Sequence, residues 1–262
     1  MRIDVYLVKN GLVKSREKAV MLIKSHSVAV DGKIVEKPSF NVENNKVEVL
    51  EKLKYVSRGG YKLEKALREF LISPLNKTAL DIGASTGGFT DCLLQHGASV
   101  VYALDVGHGQ LDEELKNNVK VVNMENTDIR KLEESGDKYT DFDIITADVS
   151  FISLSSVIPC LFKLASDNSD IVLLVKPQFE AGRGYRKNGI VKDKNTHISV
   201  LDNIIKQAHE NNLYVCGLTF SPIKGGDGNI EYLMHLKKHF IPNNVNIKDT
   251  VAAAHADLKR SL

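Results

Sequence analysis

The feature that most constrains the fold is a regular alternation of short apolar segments with longer amphipathic ones after residue 77. Alternation of this kind is typical of α/β proteins, in which a mainly parallel sheet is covered by helices on both faces. A turn rich in glycine at residues 225–228 separates the last two apolar segments, so we expect these two strands to pair antiparallel. The seven predicted strands are TALDIG, VVYALDVG, VKVVN, FDIITADVS, IVLLVKP, LYVCGLTFSP and NIEYLMHLKK, with longer helices from about Gly88, Ser153 and Asn195.

The N-terminal segment has a different pattern. DVYLVKNGL and SREKAVMLIKSH show helical spacing, whereas VAVDGKIVEKP and NKVEVL alternate as strands do. Ser15 is a candidate cap of the second helix, and Asp31-Gly32 is typical of a hairpin turn. Ser57, Gly59 and Gly60 interrupt the pattern before a helix predicted from about Tyr61 to Phe70. We therefore predict a small α+β domain over 1–52, a linker over 53–60, a large domain over 61–240, and a tail over 241–262 that includes a helix.

Charge is distributed unevenly along the chain. Residues 1–65 hold 14 Lys and Arg against 8 Asp and Glu, a net charge of +6, whereas the rest holds 21 against 25, a net charge of −4. A basic segment is a candidate nucleic-acid surface, although a solvated lysine-rich face has the same composition. The candidate RNA-binding residues of this segment are Arg2, Lys9, Lys14, Arg16, Lys18, Lys24 and Arg58.

Cysteine usage and hydropathy exclude several classes of protein. The three cysteines, Cys92, Cys160 and Cys216, are far apart and form no C-x-x-C pair, so we expect no disulfide framework and no metal site. The N-terminus carries charges from Arg2 onward and lacks the apolar core of a signal peptide. No stretch approaches the roughly 18 apolar residues of a membrane span. A cytoplasmic protein without a membrane partner is therefore predicted.

The first strand of the large domain runs into a glycine-rich loop, DIGASTGGF, that opens a helix. Glycines let a backbone approach a ligand closely, and the absence of a terminal Gly-Lys-Ser/Thr argues against a P-loop. Asp105 ends the next strand, where an acid can accept hydrogen bonds from ribose hydroxyls. NAD and S-adenosylmethionine both fit this pattern. The candidate cofactor-binding residues are Asp81, Gly83, Ala84, Ser85, Thr86, Gly87, Gly88, Asp105, Val106 and Asp128, although Asp128 is an equally good helix cap.

Charged residues stand where successive strands end. Asp148 follows the strand in TADVSF, and Lys176 follows the one in LLVKPQF. Open α/β sheets place their ligand crevice at these carboxyl ends. Partial desolvation and a second cation nearby favour the neutral amine that a lysine base requires. Lys62 and Glu231 are candidates to complete the cluster, although each residue taken singly has the alternative of an ordinary solvated or paired charge.

Two resemblances connect these segments. Residues 1–50 are similar to the S4 RNA-binding domain, which carries a related R-x-D-x-x-L and S-R-x-x-A arrangement. The whole chain resembles the TlyA proteins, named haemolysins but acting as rRNA 2′-O-methyltransferases with an FtsJ-like catalytic half. The stretches that match are VSRGGYKLEKAL, ALDIGASTGGFTDCLLQ, YALDVGHGQL, ADVSFISL, LLVKPQFE and GNIEY.

The resemblance implies a Rossmann-like, seven-stranded S-adenosylmethionine methyltransferase domain. It maps the Lys-Asp-Lys-Glu tetrad of FtsJ-like enzymes to Lys62, Asp148, Lys176 and Glu231, with Lys176 as the base. Asp128 stands where an asparagine is more usual. The implied partner is ribosomal RNA or a ribosomal subunit, and the implied target is a cytidine of 23S rRNA. Longer members of the family also modify 16S rRNA, and this chain combines a short N-terminus with a helical tail, which leaves that second target open.

The stretch from Pro177 to Lys194 is too long for a simple connector. We expect it to contact RNA through Arg183, Arg186 and Lys187, the alternative being a flexible surface segment.

Three other functions are alternatives to rRNA methylation. A pseudouridine synthase would require an R-L-D-x-x-T stretch that is absent, a non-catalytic ribosome-binding factor would not require the intact tetrad, and a membrane-lytic haemolysin would require an apolar or amphipathic membrane segment.

Overall fold

The structure is a computed structural model that describes residues 1–24, 27–50, 53–134, 139–150, 152–182, 189–241, 243 and 245–258. The chain forms two compact units, Met1–Arg58 and Gly59–Leu262. Each unit buries apolar side chains of its own.

The N-terminal unit packs two helices with a small antiparallel sheet. Ser15 caps the second helix, since its Oγ accepts a hydrogen bond from the Lys18 N–H at 3.2 Å. Asp31 and Gly32 have φ values of 49° and 76°, the left-handed conformation of the predicted hairpin turn. The helices are α1 (Ile3–Lys9) and α2 (Arg16–Lys24), and the strands are β1 (Val28–Val30), β2 (Lys33–Ile34) and β3 (Val47–Val49), in the order β2-β1-β3.

The large unit alternates strands and helices as predicted. Its strands are β4 (Thr78–Ile82), β5 (Val100–Leu104), β6 (Val121–Met124), β7 (Phe142–Ala147), β8 (Ala165–Val175), β9 (Tyr214–Phe220) and β10 (Tyr232–Lys237). Its helices are α3 (Gly59–Glu69), α4 (Gly88–Gln95), α5 (Glu113–Lys116), α6 (Ile129–Glu134), α7 (Ile158–Leu164), α8 (Pro177–Glu180), α9 (Lys194–Glu210) and α10 (Ile247–Asp257), and a 3₁₀ turn covers Leu154–Ser156.

The seven strands form one sheet in the order β6-β5-β4-β7-β8-β10-β9. The first five run parallel, and β10 pairs antiparallel with both β8 and β9, which confirms the predicted fold class and the antiparallel pairing of the last two strands. Residues Ile171–Val175 of β8 are all buried. Because successive side chains of a strand point to opposite faces, both faces of the sheet are covered there.

Several boundaries differ from the prediction: the helix predicted from about Ser153 is a 3₁₀ turn followed by α7, and the starts of α3 and β8 are also shifted. Helix α3 begins at Gly59, two residues early, because burial of Leu63, Ala66 and Leu67 outweighs the roughly 1 kcal/mol that a glycine costs a helix. Strand β8 begins at Ala165 and includes the polar run SDNSD that follows, because its backbone pairs with β7. Backbone pairing does not depend on side-chain polarity. The three cysteines are free thiols, and Cys92 and Cys160 are buried.

Candidate active site

The register of the sheet brings three of the four predicted charged residues to one edge. Asp148 directly follows β7, and Lys176 directly follows β8. Because β10 is antiparallel and Tyr232 pairs with Val175, Glu231 enters the sheet at the edge where Lys176 leaves it. Lys62 reaches Glu231 from the first turns of α3.

These four side chains form two short ion pairs. Lys62 Nζ lies 2.6 Å from Glu231 Oε2, and Lys176 Nζ lies 2.6 Å from Asp148 Oδ1. The side chains of Lys62, Glu231 and Lys176 are 11%, 3% and 8% exposed, whereas Asp148 is 21% exposed. Each carboxylate compensates the cost of burying a lysine. The structure thus brings the predicted cluster together, with its charges held in fixed geometry.

Two polar residues that the sequence analysis did not select complete the cluster. Ser150 Oγ accepts a hydrogen bond from Lys176 Nζ at 2.7 Å, and Gln178 Nε2 donates to Glu231 Oε1 at 3.4 Å. Gln178 is buried, and its Oε1 has no hydrogen-bond partner among the described residues. Their position within two residues of Asp148 and Lys176 was the only signal available in the sequence.

The glycine loop follows β4, next to Asp148. Gly83 has φ +78°, and a Cβ added to it would lie 2.7 Å from the backbone oxygen of Asp148. Ser85 also has a positive φ of 49°, and Gly87, at φ +94°, leaves no room for a side chain beside Leu115. Strand β4 is where the chain order of the sheet reverses, since β5 lies on one side and β7 on the other. Ligands of open α/β sheets bind at this switch point.

Asp105 fixes the shape of this loop. Its two carboxylate oxygens accept hydrogen bonds from the backbone N–H groups of Ser85, at 2.8 Å, and Gly107, at 2.7 Å. Each carboxylate oxygen has a second lone pair, which can accept a ribose hydroxyl. The adjacent Val106 is 70% exposed and can pack against an adenine ring. The residues present therefore fit a nucleoside cofactor.

Two other candidate cofactor residues are engaged within the protein. Asp81 is fully buried beneath the loop and accepts hydrogen bonds from the hydroxyls of Thr90 and Thr146 at 2.7 and 2.9 Å. Burial raises the pKa of Asp81 to about 6. Asp128 accepts hydrogen bonds from the Arg130 side chain and backbone N–H, which lower the pKa of Asp128 to about 2. Cofactor contacts by Asp81 and Asp128 stay predictions.

In the N-terminal unit, one buried acid organises two of the candidate RNA-binding residues. Asp4, 1% exposed, accepts hydrogen bonds from Nε and Nη2 of Arg2, both at 3.0 Å, and from Nε of Arg16 at 2.9 Å. The arginine side chains themselves are 47% and 60% exposed, so further guanidinium N–H groups face solvent. Two guanidinium groups in fixed orientation are suited to phosphate.

The remaining candidate RNA-binding residues divide by exposure. Lys9, Lys14 and Lys24 are exposed, whereas Lys18 and Arg58 are half-buried. Arg183, Arg186 and Lys187 lie outside the described residues. Within the described ranges, no group of three or more His, Cys, Asp and Glu side chains is arranged to hold a metal ion, and no helix is long and apolar enough to cross a bilayer.

The sheet order, the glycine loop after β4 and the antiparallel β10 define a Rossmann-like methyltransferase. Comparison with known proteins is more specific. The FtsJ-like methyltransferase family model matches residues 55–238, and the S4 domain model matches residues 1–47. The chain belongs to the TlyA family of FtsJ-like methyltransferases, as its sequence resemblance predicted.

Relatives and solved structures agree with this assignment. Hemolysin A of Brachyspira hyodysenteriae is 45% identical over 237 residues, which cover 90% of this chain and 99% of that protein. The 16S/23S rRNA (cytidine-2′-O)-methyltransferase TlyA of Mycobacterium tuberculosis is 40% identical over 242 residues, which cover 90% and 89%. The solved structure of a hemolysin-named protein of Streptococcus thermophilus matches with a TM-score of 0.79 and 43% identity, covering 99% of this chain and 97% of that one.

Proposed function

We propose that this protein transfers a methyl group from S-adenosylmethionine to the 2′-hydroxyl of a cytidine in ribosomal RNA. The observation that carries the proposal is the pairing of Lys176 with Asp148 at the strand edge next to the glycine loop. The names of relatives such as TlyA of Mycobacterium tuberculosis supply the substrate class. The 23S rRNA is the primary target, and the 16S rRNA is a second candidate.

Lys176 is the general base of the proposed reaction. In its neutral form, Nζ would take the proton of the ribose hydroxyl as that oxygen attacks the methyl group of the bound cofactor, whose carbon–sulfur bond would break. Asp148, 2.6 Å away, stabilises the ammonium that results, and Ser150 limits the orientations of the amine. A positioned base of this kind contributes a factor of about 10² to 10⁴ in rate.

Lys62 and Glu231 orient the reacting groups. Glu231 is nearly inaccessible and holds Lys62 Nζ at 2.6 Å, so the remaining N–H donors of the ammonium have a defined direction. Lys62 donates one of them to the attacking oxygen or its neighbour on the ribose. Holding two reactants in one geometry is the larger part of catalysis for an electrophile that is already reactive.

The cofactor would be held by the loop from Gly83 to Gly88 and by Asp105, whose free lone pairs accept the ribose hydroxyls. When bound, S-adenosylmethionine supplies an electrophilic methyl group on a sulfonium. Val106 would pack against the adenine ring, and Asp128 would contact the edge of that ring. We also propose that Asp81 supports the loop indirectly, by fixing the Thr90 side chain in the first turn of α4.

The N-terminal unit binds the RNA substrate. Its exposed cations contact phosphates, which gives affinity without sequence information. Double-stranded or folded RNA is recognised mainly by shape and phosphate position, and the Asp4-bound pair of arginines provides a fixed contact. The natural partner is a ribosomal subunit or its precursor, which places the enzyme in the cytoplasm.

The test is transfer of tritiated methyl from S-adenosylmethionine to isolated 50S and 30S subunits. We expect label in RNA with the wild-type enzyme and a rate about 10² to 10⁴-fold lower with Lys176→Ala. Lys77→Ala is the matched control, since Lys77 also pairs with an aspartate, Asp143 at 3.5 Å, away from the proposed site. The subunit that receives label identifies the target.

A non-catalytic RNA-binding factor is the alternative outcome. It would bind the subunits and S-adenosylmethionine, measured by equilibrium dialysis, and transfer no label to either subunit or to protein-free rRNA. Equal rates for the wild type and Lys176→Ala would refute the proposed role of Lys176 even if RNA were labelled.

A further inference from the structure

Glu231 lies between two residues that both reach the same distant segment. Asn229, 1% exposed, accepts a hydrogen bond at its Oδ1 from the Val191 N–H at 3.0 Å. Its Nδ2 donates to the Gly189 backbone oxygen at 3.1 Å. Both ends of one buried amide are therefore used to hold a segment about 40 residues earlier in the chain.

The second link runs through Tyr232. Its hydroxyl lies 2.6 Å from Nδ1 of His197, and Nε2 of the same ring lies 3.0 Å from the Val191 backbone oxygen. A carbonyl oxygen only accepts, so Nε2 carries a proton. Burial lowers the pKa of His197, which favours the neutral imidazole, and in that form Nδ1 accepts a hydrogen bond from the tyrosine hydroxyl.

Glu231 is also held by the sheet that follows it, since Tyr232 pairs with Val175 of β8 and with Phe220 of β9. The Glu231 backbone oxygen accepts from the Ser221 N–H at 2.8 Å, and the Asn229 backbone oxygen accepts from the Gly225 N–H at 2.9 Å. Gly225 has no side chain where a Cβ would collide with Glu231 Oε1. On the N-terminal side of Glu231, the Asn229 side chain makes the link to residues 189–191, so the direction of the Glu231 side chain depends on Asn229 as well as on the sheet.

We propose that Asn229 is a positioning residue for methyl transfer. By holding Gly189–Val191 against the start of β10, it orients the Glu231 side chain toward Lys62. His197 and Tyr232 support the same segment from the other side of Glu231. Residues 189–191 fall within the 177–194 stretch that the sequence analysis assigns to RNA contact. This inference rests on the proposed function, because it requires Lys62, held by Glu231, to orient the ribose during methyl transfer.

A double-mutant cycle tests whether Asn229 acts through Glu231. The variants are Asn229→Ala, Glu231→Gln and the two combined. The measurements are the single-turnover rate at saturating S-adenosylmethionine, the affinity for S-adenosylmethionine and the melting temperature. We expect Asn229→Ala to lower the rate about 10-fold or more in the wild-type background. In the Glu231→Gln background we expect a change below about twofold, and the cofactor affinity should stay within about twofold throughout.

Asn243→Ala is the matched control. Asn243 makes similar side-chain-to-backbone hydrogen bonds away from the proposed site. It donates to the backbone oxygens of Val215 and Ile241 and accepts from the Val245 N–H. Its loss removes three side-chain hydrogen bonds, against two for Asn229, and we expect the rate to stay within about twofold of the wild type.

Two results would overturn the inference. One is an equal rate loss from Asn229→Ala with and without Glu231→Gln, which is the signature of a merely structural residue. The other is a rate for Asn229→Ala that matches the rate for Asn243→Ala. If Asn229→Ala does not fold, Tyr232→Phe replaces it in the cycle, with an expected loss of about threefold or more. An inactive wild-type enzyme would instead refute the proposed function itself, and this inference with it.

Discussion

Each unit buries an aspartate beside its functional surface, and the two carboxyl groups are held in opposite ways. Asp81 accepts from the hydroxyls of Thr90 and Thr146 and from the Thr90 N–H, all neutral groups, and burial outweighs them and raises its pKa to about 6. Burial also acts to raise the pKa of Asp4, but Arg2 and Arg16 outweigh it, and the pKa of Asp4 lies below its usual value. Under the proposed function, the first acid supports a loop for a neutral or cationic ligand, and the second fixes two cations for an anionic ligand.

The same contrast extends to the charges that would contact substrate. The lysines of the proposed active site are about 90% buried and paired at 2.6 Å, whereas Arg2 and Arg16 are about half exposed. Proton transfer requires fixed geometry and little water, while phosphate binding requires cations that solvent can reach. Substitutions in the two units should therefore change different quantities, rate and stability in one and salt-dependent affinity in the other.

The largest effect is expected from Lys62→Met. It leaves Glu231 buried without its cation, and the free energy of unfolding should fall by about 3–5 kcal/mol in urea titrations. Combining it with Glu231→Leu should restore most of that stability, because a buried ion pair can be replaced by apolar groups at little cost. Neither protein should methylate RNA. Wild-type activity in the double variant would show that the pair serves stability alone.

Asp81→Asn should change how stability depends on pH. With a folded pKa of about 6 against 3.8 in the unfolded chain, the folded protein holds the extra proton, so this stabilising contribution is present below pH 3.8 and is lost as pH rises through 6. The asparagine side chain does not titrate, so the stability of the variant lacks this decrease with rising pH. Its stability relative to the wild type should rise by about 2 kcal/mol between about pH 4.5 and about pH 7.5. Parallel pH profiles for the two proteins would contradict the assignment.

Asp4→Asn should lower affinity for rRNA by roughly tenfold while the affinity for S-adenosylmethionine stays unchanged. The amide cannot hold two guanidinium groups, so both arginines lose their fixed direction. Filter binding at constant salt measures the effect. Asp31→Asn is the control, since Asp31 binds Asn45 and the Lys46 N–H and no arginine. Equal losses in the two variants would mean that Asp4 matters only for folding of the unit.

The smallest effect is expected from Arg16→Ala. If Arg16 neutralises one phosphate, the slope of log affinity against log salt should decrease in magnitude by about 1, with an affinity loss of a few-fold. Arg68→Ala, in α3, removes an arginine that is 71% exposed and should leave the slope as it is. An unchanged slope for Arg16→Ala would remove this residue from the RNA surface.

The sequence predicted the fold class because periodicity and turn chemistry are local properties. Ser15 and Asp31-Gly32 act through neighbours two or three residues away, and both predictions are confirmed. The apolar strands of the large unit were also recognisable one by one. The polar start of β8 was not, since its pairing with β7 uses backbone groups that every residue carries.

The proposed site was predicted in part. Asp148 and Lys176 were found because residues at carboxyl strand ends meet at one edge, and the structure places them 2.6 Å apart. Asn229 and His197 were missed, because their partners are determined by how β10 and α9 pack rather than by spacing along the chain. Cofactor and RNA contacts of individual residues stay predictions.

The antiparallel insertion of β10 has a consequence for biosynthesis. Lys62 and Glu231 are separated by 169 positions, so the pair closes only after translation has passed Glu231. A nascent chain that has formed β4 to β8 already has its glycine loop and Lys176, but it lacks the carboxylate that orients Lys62. The order of synthesis thus delays assembly of the complete site until the last strand has emerged. A prematurely terminated product would have no complete site with which to modify the ribosome that made it.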